Sequence, residues 1–394
     1  MKKKIAILGS TGSIGNSLMS IVGGDKNIKI ELLSSNTNTS QLIKQAKKFN
    51  VKNLIITDPV KFILIKKRYS KYYKIYNNFD NFDKIFKSKI DYTMNAIVGF
   101  SGLNPTLKII KHTKKIAIAN KESIICGWNL IQNELKKNKT EIIPVDSEHF
   151  SIWSLLNNYK IKKNHNLENL IDNIVITASG GPFLNTPLKD FKKIKIKNAI
   201  RHPTWKMGKK ISIDSATLVN KLFEVIETQR LFGIRINKVL IKIHKQSYIH
   251  SIISFKNGLI KICAHNPDMI IPIYNSLKFD ENLNLNLNSN INFDILNNLK
   301  FTEVDKKKFS VINILKNYPN HCTLLDTALV TINDELVNLF LNNKINFTDI
   351  STKLIKILNI KEIKRLKNFI PKNYDEIKKI NDFVRLKTLK LCIL

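Results

Sequence analysis

Short apolar runs alternate with stretches of helical spacing along the first 146 residues. The first run, Lys4–Leu8, predicts a strand, and apolar residues at helical spacing follow it. Further runs predict strands at 28–33, 53–57, 92–99 and 115–120. Strands that alternate with helices are typical of a parallel, doubly wound sheet. We therefore predict an α/β domain over residues 1–146.

The pattern changes after residue 146. Strands are predicted at 173–179 and 238–244, a helix at 216–232, and a hairpin at 252–265 that turns at Asn257-Gly258. These elements predict an α+β domain over residues 147–280 with a mostly open sheet. An Asn-rich stretch at 281–304 favours a linker, although its Leu/Asn alternation could also form a strand. The apolar spacing beyond it predicts a C-terminal helical domain over 305–394.

Composition narrows the class of protein. The 394 residues carry 65 Lys+Arg against 31 Asp+Glu, a formal charge of +34, which raises the question of nucleic acid. The lysines are spread along the whole chain rather than clustered, so we expect no nucleic-acid partner. No apolar run is long enough for a membrane span, so we expect no membrane partner. The four cysteines form no C-x-x-C pair, which fits a reducing, cytoplasmic location.

Three glycines follow the first strand, with the spacing Gly9-x-x-Gly12-x-x-Gly15. Glycines between a strand and a helix allow a tight turn and bring backbone N–H groups close to a pyrophosphate. A turn without function is the alternative, but the flanking elements favour dinucleotide binding. The second strand ends in 34–38 without an acid, which mildly favours NADP over NAD, and no Lys or Arg is present there either.

A second candidate site lies in "EIIPVDSEHF", residues 141–150. An apolar segment ends in Asp146, Ser147, Glu148 and His149, and such groups are costly to bury unless something compensates them. One interpretation is a solvated loop with a helix cap. The other is a metal or substrate site at the carboxyl end of a strand, and the segment alone does not decide between them.

Two other strand ends carry polar residues. Lys121 and Glu122 follow a predicted strand at the edge where α/β sheets bind ligands, and an exposed pair at a helix start is an equally good interpretation. Ser179 and the N–H groups of Gly180 and Gly181 could hold an anion, although a plain turn is favoured when the motif is taken alone.

The stretch "DSATLVNKLFE" is more informative. Ser215 is placed to cap the predicted helix, and Asn220, Lys221 and Glu224 can line one of its faces. A phosphate cradle with an acidic ligand beyond it is one interpretation, and a capped helix with a solvated Lys-Glu pair is the other. The loop "RHPTWKMG", 201–208, could be a lid that excludes water, or a loop held by a buried Trp.

Taken together, these motifs resemble the 1-deoxy-D-xylulose 5-phosphate reductoisomerase family. The resemblance rests on "ILGSTGSIG", "NAIVGFSGL", "ANKES", "PVDSEH", "SGGPF", "RHPTWKMG", "KISIDSATLVNK" and "NPDM", in the family's order over about the first 270 residues. It implies a Rossmann-like first domain that binds NADPH. It also implies conversion of 1-deoxy-D-xylulose 5-phosphate to 2-C-methyl-D-erythritol 4-phosphate by rearrangement and hydride reduction, with Mg²⁺ or Mn²⁺, in a homodimer.

The resemblance also implies roles for individual residues. Catalytic residues would be Lys121, Asp146, Glu148, Glu224 and His202, of which Asp146, Glu148 and Glu224 would bind the metal. Substrate contacts would be Lys121, Ser147, Glu148, Ser179, His202, Ser215, Asn220, Lys221 and Glu224, with Trp205 on the lid. Cofactor contacts would be Thr11, Gly12, Ser13, Ile14, Asn38, Asn120, Glu122 and Gly208.

The chain departs from the family pattern at two informative positions. The family's Gly-Lys-Asn turn after the second strand is Asn36-Thr37-Asn38 here, so the lysine that touches the 2′-phosphate is replaced by Thr37. The Gly that follows the cradle lysine is Leu222. The main rival interpretation is another Rossmann oxidoreductase, such as a semialdehyde dehydrogenase, which would need a nucleophilic Cys at a strand end. Cys126 instead falls within a predicted helix.

Overall fold

The computed structural model describes residues 2–157, 167–205, 207–278 and 291–393. The strands in these residues are β1 (Lys3–Leu8), β2 (Ile28–Ser35), β3 (Asn53–Ile56), β4 (Lys74–Tyr76), β5 (Ile90–Asn95), β6 (Thr113–Ile118), β7 (Glu141–Pro144), β8 (Ile171–Ala178), β9 (Val239–Ile243), β10 (Ile249–Phe255), β11 (Ile260–Ala264) and β12 (Thr302–Glu303). The α-helices are α1 (Ser13–Val22), α2 (Thr39–Lys48), α3 (Pro59–Tyr69), α4 (Phe82–Ile85), α5 (Leu103–Ile109), α6 (Lys121–Asn138), α7 (Ser147–Asn157), α8 (Ile196–Ala199), α9 (Lys209–Thr217), α10 (Val219–Phe232), α11 (Ile270–Lys278), α12 (Phe293–Asn297), α13 (Leu324–Leu341), α14 (Phe347–Leu358), α15 (Lys361–Lys364) and α16 (Tyr374–Ile393).

The described chain divides into two compact units. The first contains residues 2–123, 129–146 and 269–278 and carries a seven-stranded sheet in the order β4-β3-β2-β1-β5-β6-β7. All of its strand pairs are parallel, which confirms the predicted doubly wound sheet. The strand order reverses between β1 and β5. Sheets of this kind bind ligands outside the carboxyl ends of the strands at that point.

The core of the first unit includes a helix from far along the chain. Ile5 and Leu33 are completely buried in the sheet, and Ile273 and Leu277 of α11 belong to the same apolar cluster. The Tyr92 hydroxyl lies 2.8 Å from the Ser276 hydroxyl. The sequence prediction places residues 269–280 with the middle domain instead, because local spacing does not tell which distant core a helix joins.

The second unit contains residues 124–128, 147–157, 167–205, 207–268 and 291–393. Its five-stranded sheet has the order β11-β10-β8-β9-β12. Strands β8 and β9 are parallel, and the other pairs are antiparallel. The hairpin of β10 and β11 around Asn257-Gly258 agrees with the prediction, with Gly258 at φ +86°. The unit joins the predicted middle and C-terminal segments, so the division into separate domains stays a prediction.

The prediction of one continuous helix over 216–232 was wrong in one respect, because the structure contains two helices with a break between them. Helix α9 ends at Thr217, Leu218 adopts the left-handed conformation with φ 60°, and α10 begins at Val219. Ser215 therefore lies in the last turn of α9 and does not cap α10, whose first N–H, on Val219, donates to Thr217 Oγ1 at 3.4 Å instead. A left-handed leucine costs roughly 1–2 kcal/mol, so local preference gives no signal for this break.

The described residues beyond 305 form helices, as predicted, around the buried helix α13. The predicted linker 281–304 lies partly outside the described residues. Its described part contains α12 and β12, and β12 pairs with β9. Within the described residues, no helix is both long and apolar enough to cross a membrane.

Candidate functional site

Three carboxylates gather where β7 leads into α7. Asp146 follows β7 and directly precedes Ser147, the first residue of α7. Glu148 lies in the first turn of α7, and Glu224 lies on α10 and is 1% exposed. One oxygen from each carboxylate lies within 4.8 Å of the others. Of the two interpretations of this segment, the structure therefore supports a clustered site.

Two lysines accompany the carboxylates. Lys121 Nζ lies 2.8 Å from Asp146 Oδ2, and the buried Lys221 Nζ contacts both Glu148 Oε1 and Glu224 Oε2. Asn220 Nδ2 donates to Glu224 Oε1, and the Ser147 hydroxyl donates to Glu148 Oε2 at 2.7 Å. The three residues predicted to line one face of α10 are therefore in contact, and the Lys-Glu pair is buried rather than solvated.

The cluster fits a hard divalent cation. Mg²⁺ binds oxygens at about 2.0–2.1 Å in octahedral geometry, which places neighbouring oxygens about 3 Å apart and opposite ones about 4 Å apart. The observed 4.8 Å limit allows all three oxygens to reach one ion after small adjustments. Three carboxylates supply the oxygen ligands of this cluster, and the ammonium groups of Lys121 and Lys221 contact them. Carboxylate oxygens suit Mg²⁺ or Mn²⁺.

A buried histidine, His149, contacts the backbone of one of the three carboxylate residues. His149 Nε2 lies 3.0 Å from the backbone carbonyl of Glu224 and 3.0 Å from Thr228 Oγ1. His149 Nδ1 lies 3.3 Å from Glu227 Oε2, and neither side chain is more than 2% exposed. The sequence prediction gave no role to His149 or Glu227. The spacing of Glu227 three positions after Glu224 was the available signal, because residues three apart lie on the same face of a helix.

A second polar group lies at the end of β8. His202 Nε2 lies 3.0 Å from Ser179 Oγ and 3.1 Å from Ser215 Oγ. The N–H of Gly181 donates to Ser179 Oγ at 3.2 Å. A Cβ on Gly181, which has φ +65°, would lie 2.9 Å from the Ser215 carbonyl, so only glycine allows this close approach. The structure thus brings together three predicted substrate residues from separate motifs.

The protonation state of His202 follows from its partners. Its Nδ1 accepts hydrogen bonds from the backbone N–H groups of Trp205 at 2.9 Å and Thr204 at 3.2 Å. The proton of the neutral ring is therefore on Nε2, where it can be donated to a serine hydroxyl or a bound anion. Burial, reinforced by the positive charge of Lys221, lowers the pKa of His202 to about 4. A neutral donor is expected at physiological pH.

The loop predicted as a lid starts from this histidine. Trp205 packs edge-on against His250, with ring centroids 6.1 Å apart, and His250 stacks on His265 at 3.7 Å. Trp205 is half-buried, whereas Pro203 and Thr204 are exposed. Within the second unit, the loop therefore packs through the Trp205 ring as well as through the contacts of His202 with Ser179 and Ser215. Its role as a lid stays a prediction.

The glycine motif lies between β1 and α1 in the first unit. Gly9 has φ +80°, and a Cβ on Gly15 would lie 2.4 Å from the Gly9 carbonyl oxygen, so the turn requires glycine at both positions. Thr11 Oγ1 lies 2.8 Å from Ser35 Oγ, and Ser10 Oγ donates to Gln45 at 2.8 Å. These bonds fix the loop against β2 and α2. Gly12, Ser13 and Ile14 form the cap and first turn of α1, where backbone N–H groups can bind phosphate.

The other predicted cofactor residues are dispersed. Asn38 caps α2 and accepts a hydrogen bond from the N–H of Gln41, next to the exposed Thr37. Asn120 and Glu122 are buried at the start of α6, after β6. Gly208 precedes α9 and belongs to the second unit. All except Gly208 therefore belong to the unit with the parallel sheet.

Family models match most of the chain. The 1-deoxy-D-xylulose 5-phosphate reductoisomerase model matches residues 5–127, the model of this enzyme's C-terminal domain matches 142–232, and the DXP reductoisomerase C-terminal domain model matches 265–387. A 1-deoxy-D-xylulose 5-phosphate reductoisomerase from Pelagibacter ubique is 53% identical over 395 residues, covering 99% of this chain and 100% of that protein. One from a Wolbachia species is 37% identical over 88% of each chain.

Solved structures agree with these matches. A DOX-P reductoisomerase in complex with NADPH, fosmidomycin and magnesium superimposes with a TM-score of 0.91 and 29% identity, over 98% of each chain. The 1-deoxy-D-xylulose 5-phosphate reductoisomerase from Zymomonas mobilis in complex with NADPH gives a TM-score of 0.84 and 29% identity, over 100% of this chain and 99% of that one.

Proposed function

The chain belongs to the 1-deoxy-D-xylulose 5-phosphate reductoisomerase family, and we propose that it catalyses the reaction for which the family is named. It would convert 1-deoxy-D-xylulose 5-phosphate to 2-C-methyl-D-erythritol 4-phosphate by rearranging the carbon skeleton and reducing the resulting aldehyde with NADPH. The observation that carries this proposal is the convergence of Asp146, Glu148 and Glu224 on one point.

Those three carboxylates would hold the divalent cation. When bound, the cation supplies Lewis-acid polarisation of the substrate's oxygens. Lys221 contacts two of the carboxylates, so its ammonium group keeps them in place and lowers the cost of burying them. Lys121 holds Asp146 in the same way, and its Nζ could move a proton at a substrate oxygen. Magnesium is present in related structures, and manganese is proposed as a second usable ion.

The group of Ser179, His202 and Ser215 would bind the substrate's phosphate. The two hydroxyls and the Nε2–H of His202 are suitable donors for phosphate oxygens, and the ammonium of Lys221, whose charge already acts on His202, would join them. Asn220 and Ser147 would contact the rest of the substrate beside the carboxylates. Trp205, which lies on the same loop as His202, would cover the bound substrate and exclude water from it.

The first unit would bind NADPH, which supplies the hydride. The N–H groups at Thr11, Ser13 and Ile14 would bind the pyrophosphate, which would pass close to Gly12, because the start of α1 attracts anions. Asn38, beside Thr37, would face the 2′-phosphate. Asn120, Glu122 and Gly208 complete the proposed cofactor contacts.

The decisive experiment follows NADPH absorbance with 1-deoxy-D-xylulose 5-phosphate, with and without Mg²⁺ or Mn²⁺. We expect oxidation that requires both the sugar phosphate and the metal. A folded sample that binds NADPH but shows no metal-dependent oxidation would contradict the proposal. Another Rossmann oxidoreductase, such as a semialdehyde dehydrogenase, is disfavoured because Cys126 is completely buried within α6 and cannot serve as a surface nucleophile.

We also propose a homodimer in the cytoplasm. Strand β11 is an edge of the five-stranded sheet, where Ile260 and Ile262 are 60% and 50% exposed, and Leu259, just before the strand, is 46% exposed. An exposed apolar edge strand is suited to pairing with a second copy. Sedimentation should give a dimer, and Ile262→Lys should shift it toward monomer. Within the described residues none of the four cysteines forms a disulfide bond, which supports a reducing compartment.

A further inference from the structure

A buried carboxylate lies next in sequence to one of the three residues proposed to bind the substrate's phosphate, Ser179, His202 and Ser215. No role has been assigned to it so far. Asp214 precedes Ser215 in the last turns of α9 and is 2% exposed. Its Oδ2 lies 2.8 Å from Lys210 Nζ, and its Oδ1 accepts a hydrogen bond from Asn333 Nδ2 at 2.8 Å. Because a buried carboxylate is costly unless paired, these two donors determine where Asp214 sits.

The partners of Asp214 come from the C-terminal helices. Asn333 lies on α13 and is completely buried, and the next residue, Asp334, lies 3.2 Å from Lys210 Nζ. The ammonium of Lys210 also lies 5.4 Å from the centre of the Phe223 ring on α10. These polar contacts therefore connect α9, α10 and α13, the first two of which carry the proposed substrate residues.

A small displacement of α9 would directly change the geometry of the proposed phosphate-binding residues. Ser215 Oγ lies 3.1 Å from His202 Nε2, and the Ser215 carbonyl packs against Gly181 with no room for a Cβ. Helix α9 has only nine residues and ends at Thr217, just before the left-handed Leu218, so α10 does not continue it as a straight helix. Contacts from outside α9 must set the position of its last turn.

We propose that Asn333 is a positioning residue that fixes Ser215 for phosphate binding through Asp214. This inference rests on the proposed function, in which Ser215 binds the substrate's phosphate. It gives the C-terminal helices a specific part in recognising a phosphorylated substrate, and it concerns affinity for the phosphate rather than the chemical step.

The test removes the hydrogen bond without changing side-chain size much. Asn333→Leu deletes the amide donor to Asp214. Asn381→Leu is the matched control, because Asn381 is 4% exposed and donates to Thr331 Oγ1 of the same helix at 2.8 Å, with no contact to α9 among the described bonds. Inorganic phosphate affinity is measured by calorimetry on the full chain, together with KM, kcat and NADPH affinity.

The proposal predicts a split between these quantities. Asn333→Leu should weaken phosphate binding and raise KM for the sugar phosphate roughly tenfold, with kcat and NADPH affinity changed less than about twofold. Asn381→Leu should lose similar stability and keep phosphate affinity. Equal phosphate affinity in Asn333→Leu and the unaltered protein would overturn the inference. Failure of the unaltered protein to bind phosphate or substrate would instead overturn the proposed function.

Exchanging the Asp214 carboxylate and the Asn333 amide between the two positions provides a second test if Asn333→Leu does not fold. Asn333→Asp alone places two carboxylates against each other and should weaken phosphate binding further. The double variant Asp214→Asn with Asn333→Asp restores a donor and an acceptor with the total charge unchanged, and should recover most of the lost affinity. No recovery beyond the sum of the single changes would contradict direct positioning through this bond.

Discussion

The imidazole of His202 is expected to remain uncharged far below neutral pH. Burial and the charge of Lys221 lower its pKa from 6.5 to about 4. At pH 5.5 such a group is about 3% protonated in the folded protein but about 90% protonated in the unfolded chain. Protonation of Nδ1 would also oppose the N–H groups of Thr204 and Trp205, which donate to it.

The effect on stability has a definite sign. Because the folded pKa is depressed, the unfolded chain binds the extra proton first, so stability is fully present above pH 6.5 and is lost as the pH falls toward 4. The difference in pKa corresponds to at most ~3.4 kcal/mol at 1.36 kcal/mol per pH unit. Solvent reaches part of the ring, so we expect about 1–2 kcal/mol.

Two measurements check this expectation. Histidine-selective NMR gives the pKa of each ring, and the signal lost in His202→Asn identifies this one. Urea unfolding at pH 7 and pH 4.5 should show that the unaltered protein loses about 1–2 kcal/mol more than His202→Asn over this interval. A His202 pKa of 6 or higher, or parallel losses in the two proteins, would refute the reasoning from burial and from Lys221.

Other substitutions test separate parts of the molecule. Glu224→Gln should abolish turnover at limiting Mg²⁺ while NADPH binding, followed by fluorescence, stays intact; near-normal activity would contradict the metal assignment. Thr37→Lys should lower KM for NADPH roughly ten- to a hundredfold and that for NADH little, since a charge-assisted contact contributes about 1.5–3 kcal/mol; an equal gain for NADH would mean that the position does not face the 2′-phosphate. Gly15→Ala should weaken NADPH binding, because its Cβ would meet a carbonyl oxygen at 2.4 Å; unchanged affinity would show that the loop can shift. Arg230→Met should cost about 3–5 kcal/mol in chemical unfolding, because it leaves the completely buried Asp326 carboxylate without its cation; a loss below 1 kcal/mol would show that water enters.

Much of the architecture could be predicted from local pattern. Alternating strands and helices, the glycine turn after β1 and the hairpin at Asn257-Gly258 depend on residues close together in sequence, and each agrees with the structure. The polar residues at strand ends were also identifiable, since parallel strands bring their carboxyl ends to one edge. Asp146 and Glu148 are two residues apart, so their proximity is local.

Other features required the folded chain. The break at Leu218 moves Ser215 into α9, and no local preference marks a left-handed leucine. Lys221, which also contacts Glu224, reaches Glu148 across 73 positions, and Asn333 reaches Asp214 across 119. Periodicity reports which face of an element is buried but not which distant element covers it. Contacts between buried polar groups depend on that choice of partner, so only the tertiary structure decides them.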